Sequence, residues 1–304
     1  MAEAGDQNAA LRRLMKAGAG LIIPGAPNAL TARIIEGAGF EAVYVTGAGV
    51  ANAYLGAPDV GLTTATEVAE HVMAIRDAVR VPIVVDGDTG FGNAVNLGRT
   101  VRLFERAGAS AIQIEDQVFP KRCGHFEGKE VVSCDEMVQK VKAAVDARLD
   151  PNMMIIARTD ARAVTSFDDA LERAAAYQEV GADVLFVEAP QNVDELRRIP
   201  QAVPGIHICN LVFGGKTPLF PREELAAMGF AAILYANAAL QASMLAMKSV
   251  MAHLKSHGSL AGAEAQVISF KDRQELVDHA RYMALEARYC TPSAQTDVKK
   301  GAAR

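Results

Sequence analysis

One polar segment of the chain, EDQVFPKRCGHFEGKEV, carries side chains that could do chemistry. It begins with Glu115 and holds Cys123 among three groups that can carry positive charge: Lys121, Arg122 and His125. Nearby positive charge favours a thiolate over a thiol, so Cys123 should be more reactive than a buried cysteine. The alternative is an incidental surface cysteine. The types and spacing of these residues favour a chemical role for Cys123.

The same segment has the composition of a lid. Gly124 and Gly128 interrupt a stretch that is too polar to form a core. Such a segment can close over a ligand when it lies at the rim of a site. Because it would bury little apolar area, we expect residues 118–131 to be more mobile without ligand than the neighbouring strands.

A second set of candidate residues is acidic. Asp86 and Asp88 end the apolar run VPIVVDGD, and on an extended backbone residues two apart point the same way. Glu115 ends the next apolar run, so three carboxylates are expected to converge. Like charges so close repel each other unless a proton or a cation lies between them. An all-oxygen set suits a hard cation such as Mg2+, while the alternative is that the acids cap helices or form salt bridges.

Three further features end apolar runs and leave two interpretations open. Arg158 could form a structural ion pair with Glu188 or Asp160, or its guanidinium could bind a substrate carboxylate with two hydrogen bonds. The small-residue turn at 47–49 could hold an anion on its backbone N–H groups. Tyr44 could be a core tyrosine or a phenol directed at the metal site.

Eight short apolar runs recur along the chain, and helical stretches separate them. Their near-continuous hydrophobicity is typical of strands buried on both faces of a parallel sheet. Eight such units predict an α/β fold, a (β/α)8 TIM-type barrel, with a doubly wound open sheet as the alternative. The runs are GLIIPG, EAVYVTG, VPIVVDGD, AIQIED, MMIIARTD, VLFVEA, IHICNLV and AAILYAN. In a barrel the active site lies at the carboxyl ends of the strands, where the polar candidates fall.

The helix ends have recognisable signals. Thr64 with Glu67, and Ser133 with Glu136, predict capping boxes. Glycines that can adopt the left-handed conformation are expected to end four helices. These are Gly39, Gly108, Gly181 and Gly229. Extra helices are predicted from about 238 to 290, and without a visible linker residues 1–304 are expected to form a single domain.

Composition excludes several classes of function. The 304 residues carry a net charge of −5 with both signs dispersed, which disfavours nucleic-acid binding. No apolar run reaches the length of a membrane span, and the amino terminus lacks the apolar core of a signal peptide. The four cysteines show neither zinc-type nor disulfide-framework spacing. We therefore expect a reduced, cytoplasmic protein.

Four motifs resemble one known family, the isocitrate lyase and phosphoenolpyruvate mutase superfamily. They are VDGDTGFGN, IEDQVFPKRCGH, ARTD and NLVFGGKTP, and the similarity covers residues 10–260. KRCGH resembles the lyase branch, in which the cysteine is catalytic. The resemblance implies a barrel whose last helix is swapped between subunits, in a homotetramer built as a dimer of dimers. It also implies metal binding, by Mg2+ or Mn2+, at Asp86, Asp88, Glu115 and Asp59.

The resemblance further implies a substrate and a mechanism. Substrate oxygens would meet a second set of residues: Thr46, Gly47, Ala48, Gly124, Arg158, Glu188 and Asn210. Cys123, Lys121, His125 and Tyr44 would be catalytic, with Cys123 as the general acid and Tyr44 as a candidate base. The implied reaction cleaves a substituted 2-hydroxy dicarboxylate, of the 2,3-dimethylmalate or 2-methylisocitrate type, to pyruvate or another 2-oxo acid and a carboxylic acid.

The chain departs from the pattern of relatives that act on the larger tricarboxylate. Val212 and Phe213 stand where these relatives usually have Thr-Glu, and Ala236 stands where they often have proline. Thr46 stands where many members of the family have serine. If Val212 and Phe213 face the pocket, a small substituted malate is expected to be preferred. If they face the barrel wall, they have no such effect.

Three other functions stay open. Within the family, the alternatives are oxaloacetate hydrolysis and the phosphonate chemistry of a carboxyvinyl-carboxyphosphonate phosphorylmutase-like enzyme, against which Cys123 argues. Outside catalysis, the alternative is a protein that only binds a dicarboxylate.

Overall fold

The computed structural model describes residues 4–124 and 128–290. Eight parallel strands close into a barrel in sequence order, with the last strand paired to the first. The strands are β1 Leu21–Ala26, β2 Val43–Val45, β3 Ile83–Asp86, β4 Ala111–Glu115, β5 Met154–Thr159, β6 Val184–Val187, β7 His207–Asn210 and β8 Ala232–Tyr235. Each lies in one of the eight apolar runs, so the predicted barrel is confirmed.

Helices precede the first strand and follow each of the eight strands. They are α1 Ala4–Leu14, α2 Ala29–Gly37, α3 Gly47–Val50, α4 Ala65–Ala78, α5 Ala94–Ala107, α6 Cys134–Ala147, α7 Ala161–Val164, α8 Phe167–Glu179, α9 Val193–Ala202, α10 Arg222–Met228 and α11 Ala238–His257. Beyond these lie α12 Phe270–Leu276 and α13 His279–Tyr289, with a short π-helical turn at Ala51–Leu55 and a 3-10 turn at Glu264–Gln266.

Alternation along the strands divides the core into two layers. Successive side chains of a strand point to opposite faces, so one set fills the barrel and the other meets the helices. Val84, Ile156 and Phe186 belong to the inner set, which packs with Leu11 in α1 and with Met15 just after it. Residues such as Val85 and Ile155 belong to the outer set, which is continuous with the apolar faces of the helices.

The predicted helix ends are found with one difference. Thr64 and Glu67 form a complete capping box at the start of α4. At α6, Ser133 accepts a hydrogen bond from the Glu136 N–H, and the reciprocal bond from the Glu136 side chain is absent. All four predicted glycines have positive φ, as expected for helix ends that turn sharply into a strand.

One glycine is required by the closure of the barrel. A Cβ placed on Gly25 in β1 would lie 1.9 Å from the backbone oxygen of Ala236, just after β8. Any larger residue at position 25 would therefore push apart the two strands that close the sheet.

The described residues fall into two compact units, divided between Ser243 and Met244. The first holds the barrel. The second holds most of α11, together with α12 and α13, and many of its large apolar side chains are exposed, for example Leu245 (73%) and Phe270 (72%). Within the described ranges, no helix is both long and apolar enough to cross a membrane.

Candidate active site

The inner set of side chains turns polar at the carboxyl ends of the strands. Asp86 ends β3 in the same alternation as Val84, and Glu115 and Arg158 do so in β4 and β5, where they face each other in register. Asn210 ends β7 in the same way. The predicted rim of polar groups is thus produced by strand alternation, and most of these side chains are buried.

The predicted acids lie together around an ammonium group. Lys121 Nζ lies 2.6 Å from Asp59 Oδ1 and 2.8 Å from Asp88 Oδ1. Burial and the neighbouring Asp86 raise the pKa of Asp88 to about 6, although Lys121 opposes the shift. Despite its burial, Lys121 has a pKa raised well above its ordinary value by the surrounding carboxylates. The cluster therefore holds positive charge tightly.

The donor set of this cluster fits a hard divalent cation. All donors are carboxylate oxygens, and Glu115 Oε1 is buried without a hydrogen-bond partner among the described residues. Burial, followed by the opposing effect of Arg158, leaves the pKa of Glu115 well above its usual value, as expected for an acid short of partners. In the part of the chain that the structure describes, no three His, Cys, Asp or Glu side chains form a ready-made cage. Mg2+ needs few direct protein ligands because it keeps several waters, so the set present still suits it.

Arg158 combines the two roles that the sequence left open. Its Nε and Nη2 donate to the two carboxylate oxygens of Asp160, at 2.9 and 3.1 Å, and its guanidinium lies 5.3 Å from the centre of the Phe186 ring. The Glu188 carboxylate lies 3.8 Å from Nε. Arg158 also lines the central cavity. Asp160 thus fixes one edge of the guanidinium while the residue still faces the site.

The lid begins and ends in a short antiparallel stem, formed by residues 116–118 and 130–132. The Val118 N–H donates to Glu130 O (2.9 Å), and Gln117 pairs with Val131. The side-chain amide of Gln117 binds both the backbone O and the backbone N–H of Arg122, at 2.8 and 2.9 Å. The stem therefore directs the following residues back over the barrel mouth.

Cys123 lies at the central cavity, as the sequence predicted for a lid residue. Its backbone N–H donates to Asp59 O (3.2 Å), so the lid is joined to the loop that carries a predicted metal ligand. A Cβ on the adjacent Gly124 would lie 2.5 Å from both Arg158 Nη2 and Glu188 Oε1. Glycine at 124 lets the lid backbone come close to the charged groups of the site.

Lys129 is a residue of this lid that the sequence reasoning missed. Its buried Nζ donates to Gly124 O and to Asp160 Oδ1, the latter at 2.7 Å. Although burial alone would raise it, Arg158 and Lys129 lower the pKa of Asp160 to about 2. One carboxylate therefore links the lid to the guanidinium of the site. The GK pair after KRCGH was visible in the sequence, but nothing in it indicated Asp160 as the partner.

We expect Lys129→Met to loosen the lid. A hydrogen bond to a charged group contributes about 1.5–3 kcal/mol, so alkylation of Cys123 by iodoacetamide should accelerate by roughly tenfold. Asp160 keeps its two bonds to Arg158, so the barrel should fold. Peptide mass spectrometry measures the rate at Cys123 alone. Lys129→Arg should restore much of the protection, and Lys142→Met, at an exposed lysine of α6, should leave the rate unchanged. Equal rates of Cys123 alkylation in Lys129→Met and the wild type would contradict the role of Lys129 in holding the lid.

Tyr44 is both a core residue and a cavity residue. Its hydroxyl donates to Gln113 Oε1 at 3.1 Å. Burial and the nearby Asp86 raise the pKa of the phenol well above its ordinary value. In this structure Tyr44 therefore keeps its proton.

The turn at 47–49 uses its N–H groups within the protein. The Gly47 N–H donates to Asp86 Oδ2 (3.2 Å), and the Gly49 N–H donates to Thr46 Oγ1 (3.2 Å), which begins α3. Ala48 and Thr46 line the cavity. The predicted anion site on this turn is thus built partly as a support for Asp86.

Asp116, one residue after Glu115, faces the opposite way. Its carboxylate accepts hydrogen bonds from Thr159 Oγ1 (2.7 Å), Tyr177 Oη (2.8 Å) and Arg173 (3.2 Å). These partners belong to β5 and α8. Asp116 therefore joins the sheet to its outer helix, and it does not reach the cavity.

The central cavity measures about 30 Å3, close to the volume of one water molecule. In this structure the cavity has no room for a dicarboxylate. Val212 lines the cavity, whereas Phe213 is 78% exposed and does not. Of the Val212–Phe213 pair, only Val212 faces the site, and the other two departures, Thr46 and Ala236, line the cavity as well. Asn210 Oδ1 is buried without a hydrogen-bond partner among the described residues, which suits a group that meets a ligand.

Comparison with known proteins identifies the family. Residues 11–255 match the family described as phosphoenolpyruvate phosphomutase. The chain belongs to the phosphoenolpyruvate mutase/isocitrate lyase superfamily. It is 45% identical over 283 residues to the 2,3-dimethylmalate lyase of Eubacterium barkeri, covering 93% of this chain and 98% of the relative. It is 42% identical over 272 residues to a 2-methylisocitrate lyase of Vibrio cholerae, covering 88% of this chain and 87% of the relative. Since these relatives are carbon–carbon lyases, they confirm the predicted class of enzyme.

Solved structures of the superfamily share the whole fold. A crystal structure of 2,3-dimethylmalate lyase superposes with a TM-score of 0.87 at 31% identity, covering 95% of this chain and 96% of that one. The structure of oxaloacetate acetylhydrolase with 3,3-difluorooxalacetate superposes with a TM-score of 0.86 at 30% identity, covering 93% of this chain and 97% of that one. The structure of phosphonopyruvate hydrolase with oxalate and Mg2+ superposes with a TM-score of 0.83 at 33% identity, covering 93% of this chain and 99% of that one.

Within this superfamily member, the fold brings most of the predicted site together. Eleven of the fifteen predicted residues line the central cavity: Tyr44, Thr46, Ala48, Asp59, Asp86, Lys121, Cys123, Gly124, Arg158, Glu188 and Asn210. Asp88 and Glu115 contact this group through Lys121 and Arg158, and Gly47 contacts it through Asp86. His125 lies outside the described residues.

Of the other three cysteines, Cys134 and Cys209 lie in the unit that holds the barrel, and neither lines the central cavity. Cys209 is buried within β7, where burial raises the pKa of its thiol. Cys134 begins α6 and is partly buried, and burial raises its pKa as well. Cys290 follows α13. All are free thiols.

Proposed function

We propose that this protein is a Mg2+-dependent lyase for a small substituted malate. It would cleave a 2-hydroxy dicarboxylate of the 2,3-dimethylmalate type to pyruvate, or another 2-oxo acid, and a carboxylic acid. One observation carries the proposal: the Cys123 lid, the guanidinium of Arg158 and the carboxylate cluster line a single cavity at the barrel mouth. This arrangement places an acid, a carboxylate-binding group and a cation site around one substrate.

Binding would depend on charges that already face the cavity. Arg158 lines it as a permanent cation whose guanidinium is held by Asp160, so it can accept a substrate carboxylate without losing its orientation. The amide of Asn210 would hydrogen-bond a second oxygen, since its own oxygen has no protein partner among the described residues. Closure of the lid would then exclude water from these contacts.

Cleavage requires a proton to leave the 2-hydroxyl and another to reach the new carbon. As the hydroxyl proton leaves, its oxygen forms the carbonyl of the 2-oxo acid and the carbon–carbon bond breaks. The bonding pair stays on the carbon next to the leaving carboxylate. Cys123 would donate its thiol proton to that carbon, since a thiol gives up a proton readily near neutral pH. Tyr44 as the base stays a prediction. Burial raises the pKa of its phenol, so the phenol is neutral in this structure.

Asp86, Asp88 and Glu115 would hold the cation, with Asp59 close by. The all-oxygen donor set and the unpartnered Glu115 Oε1 support this assignment, as does the similar phosphonopyruvate hydrolase, whose structure contains Mg2+. When bound, Mg2+ would polarise the 2-hydroxy acid and lower the pKa of its hydroxyl. Mn2+ has similar oxygen preferences and is expected to substitute.

A coupled assay for 2-oxo acids across a panel of substituted malates tests the function. We expect turnover with 2,3-dimethylmalate, loss of activity after EDTA treatment, and recovery when Mg2+ or Mn2+ is added. Full activity in extensively chelated enzyme would overturn the metal dependence. No 2-oxo acid from any member of the panel would overturn the lyase.

Oxaloacetate hydrolysis is the second candidate function. The structural similarity to oxaloacetate acetylhydrolase is nearly as high as that to 2,3-dimethylmalate lyase. Oxalate and acetate would be the products, so adding oxaloacetate to the panel separates the two. Turnover of oxaloacetate that exceeds every substituted malate would favour the hydrolase.

Val212 is expected to select the smaller substrate. It lines the cavity with Leu234 and Ala236, so an extra carboxylate there would lose water without gaining a partner. A methyl group would gain about 0.8 kcal/mol for the carbon it buries. We therefore expect kcat/KM for 2,3-dimethylmalate to exceed that for 2-methylisocitrate, and Val212→Thr to narrow the difference. Phe213→Glu, at the exposed neighbour, should have a smaller effect. A tenfold preference for 2-methylisocitrate would contradict this assignment.

A homo-oligomer is also part of the proposal. Large apolar side chains of α11 and α13 are exposed, including Met247, Met251 and Met283, and exposed apolar patches mark interaction surfaces. Pairing through these helices would cover them, as the expected tetramer with a swapped helix requires. Sedimentation equilibrium should show an assembly larger than a monomer, and a monomer at micromolar concentration would contradict it. The cytoplasmic location and the single domain stay predictions.

A further inference from the structure

A second and much larger cavity lies on the outside of the barrel. Its volume is about 970 Å3, within the range of pockets that bind small molecules. It is enclosed by the starts of α4 and α5, by one face of α6 and by the stem of the lid. None of the residues that line the central cavity lines this one. It is therefore a separate space that the proposed lyase chemistry does not use.

A buried lysine without a partner lines this outer cavity. Lys140 in α6 is only 4% exposed, yet it has no hydrogen bond or ion pair within the described residues. Glu136, one turn earlier in the same helix, does not come within ion-pair distance of it there. Burial lowers the pKa of the Lys140 ammonium, and Glu136 opposes the shift. Lys140 Nζ is not among the fully enclosed polar atoms, so it keeps its small exposed surface toward the cavity that the residue lines. A nearly covered charge without a partner is costly, so the arrangement suits an anion.

The other residues that line the cavity indicate the chemistry of the rest of the ligand. Thr63 and Thr89 are buried and can donate hydrogen bonds, whereas Leu103, Val118 and Phe119 offer apolar contact. Lys140 is the one buried cation of the lining that the structure describes, because Arg99 is exposed at the rim. One buried positive charge beside apolar walls suits a singly charged carboxylate with an apolar body better than a phosphate.

The cavity touches the lid where the lid is anchored. Gln117 and Val118 from one half of the stem, and Val132 from the other, line it. Gln117 also binds the backbone of Arg122, the residue before Cys123. A molecule that packs against both halves of the stem would favour their pairing and so favour the closed lid.

We propose that the outer cavity binds an organic carboxylate with an apolar body. The Lys140 ammonium pairs with the carboxylate, and the bound molecule stabilises the stem of the lid. The cavity is a regulatory site, distinct from the substrate site.

Isothermal titration calorimetry with octanoate tests the site, with 1-octanol as the uncharged probe of equal chain length. We expect octanoate to bind at least tenfold more tightly than 1-octanol, since a hydrogen bond to a charged group contributes about that much. Lys140→Met should weaken octanoate binding tenfold or more, while Lys142→Met, at an exposed lysine of the same helix, should not. Lys140→Met removes an unpaired buried charge, so it should not lower the thermal midpoint of unfolding.

A second variant and a second readout make the test independent of Lys140. Thr66→Trp, at an exposed position of α4 that lines the cavity, should fill part of the space and also weaken octanoate. Saturating octanoate should slow alkylation of Cys123 by iodoacetamide at least twofold in the wild type and not in Lys140→Met. Absence of binding at millimolar octanoate, or equal binding by Lys140→Met, would overturn the site. Binding without any change at Cys123 would overturn the regulatory role.

Discussion

Replacing Cys123 with serine is expected to lower kcat by about 10²-fold or more. Serine keeps the size of the side chain but holds its proton far more tightly, and general acid catalysis contributes roughly that factor. KM should change much less, because binding depends on Arg158 and the carboxylate cluster. Steady-state kinetics with 2,3-dimethylmalate measures both constants.

Cys134→Ser is the matched control for this substitution. Cys134 begins α6, is partly buried and does not line the central cavity, so its replacement should be nearly silent. Equally small effects of the two substitutions would remove Cys123 from the mechanism.

Replacing Asp88 with asparagine should cost about 10³-fold in kcat/KM, since metal-ion catalysis contributes several kcal/mol of transition-state stabilisation. Asparagine keeps the shape but removes a charge from the group that holds Lys121. We expect Mg2+ binding, measured by calorimetry without substrate, to weaken as well. Asp86→Asn should have a smaller effect if its oxygens act through bound water.

Asp77→Asn tests whether loss of any acid would do the same. Asp77 is exposed on α4, far in the fold from the barrel mouth, so neither activity nor Mg2+ binding should change. An Asp88→Asn enzyme with unchanged Mg2+ affinity would contradict its role as a ligand.

The sequence predicts the barrel well because strand burial is a local signal. Parallel strands covered on both faces must be apolar almost throughout, and the eight runs show this directly. The same alternation predicts that Asp86, Glu115 and Arg158 share the barrel mouth, since each continues the inner set of its strand. These features need no knowledge of which residues meet across the fold.

Contacts within the lid could not be predicted in the same way. The sequence indicates Lys121 as a candidate catalytic residue, but it does not indicate that the Lys121 ammonium pairs with Asp59 and Asp88. The sequence does not indicate the role of Lys129, because its partner Asp160 lies 31 residues away and only the folded chain joins them. Phe213 and Val212 are neighbours in sequence, yet Val212 lines the cavity and Phe213 is exposed. The partners of long side chains depend on the geometry of the folded chain, which composition and spacing do not encode.

The opposite orientations of Glu115 and Asp116 have an evolutionary consequence. Glu115 ends β4 and faces the barrel mouth, whereas Asp116 follows it and holds Thr159 and Tyr177 on the outside. A one-residue insertion or deletion in β4 would exchange the faces of the two carboxylates and disrupt the contacts of both at once. Point substitutions around Glu115 can instead vary without disturbing the outer frame. Divergence of this lineage toward new substrates should therefore proceed by substitution at the inner positions, with the length of β4 held fixed.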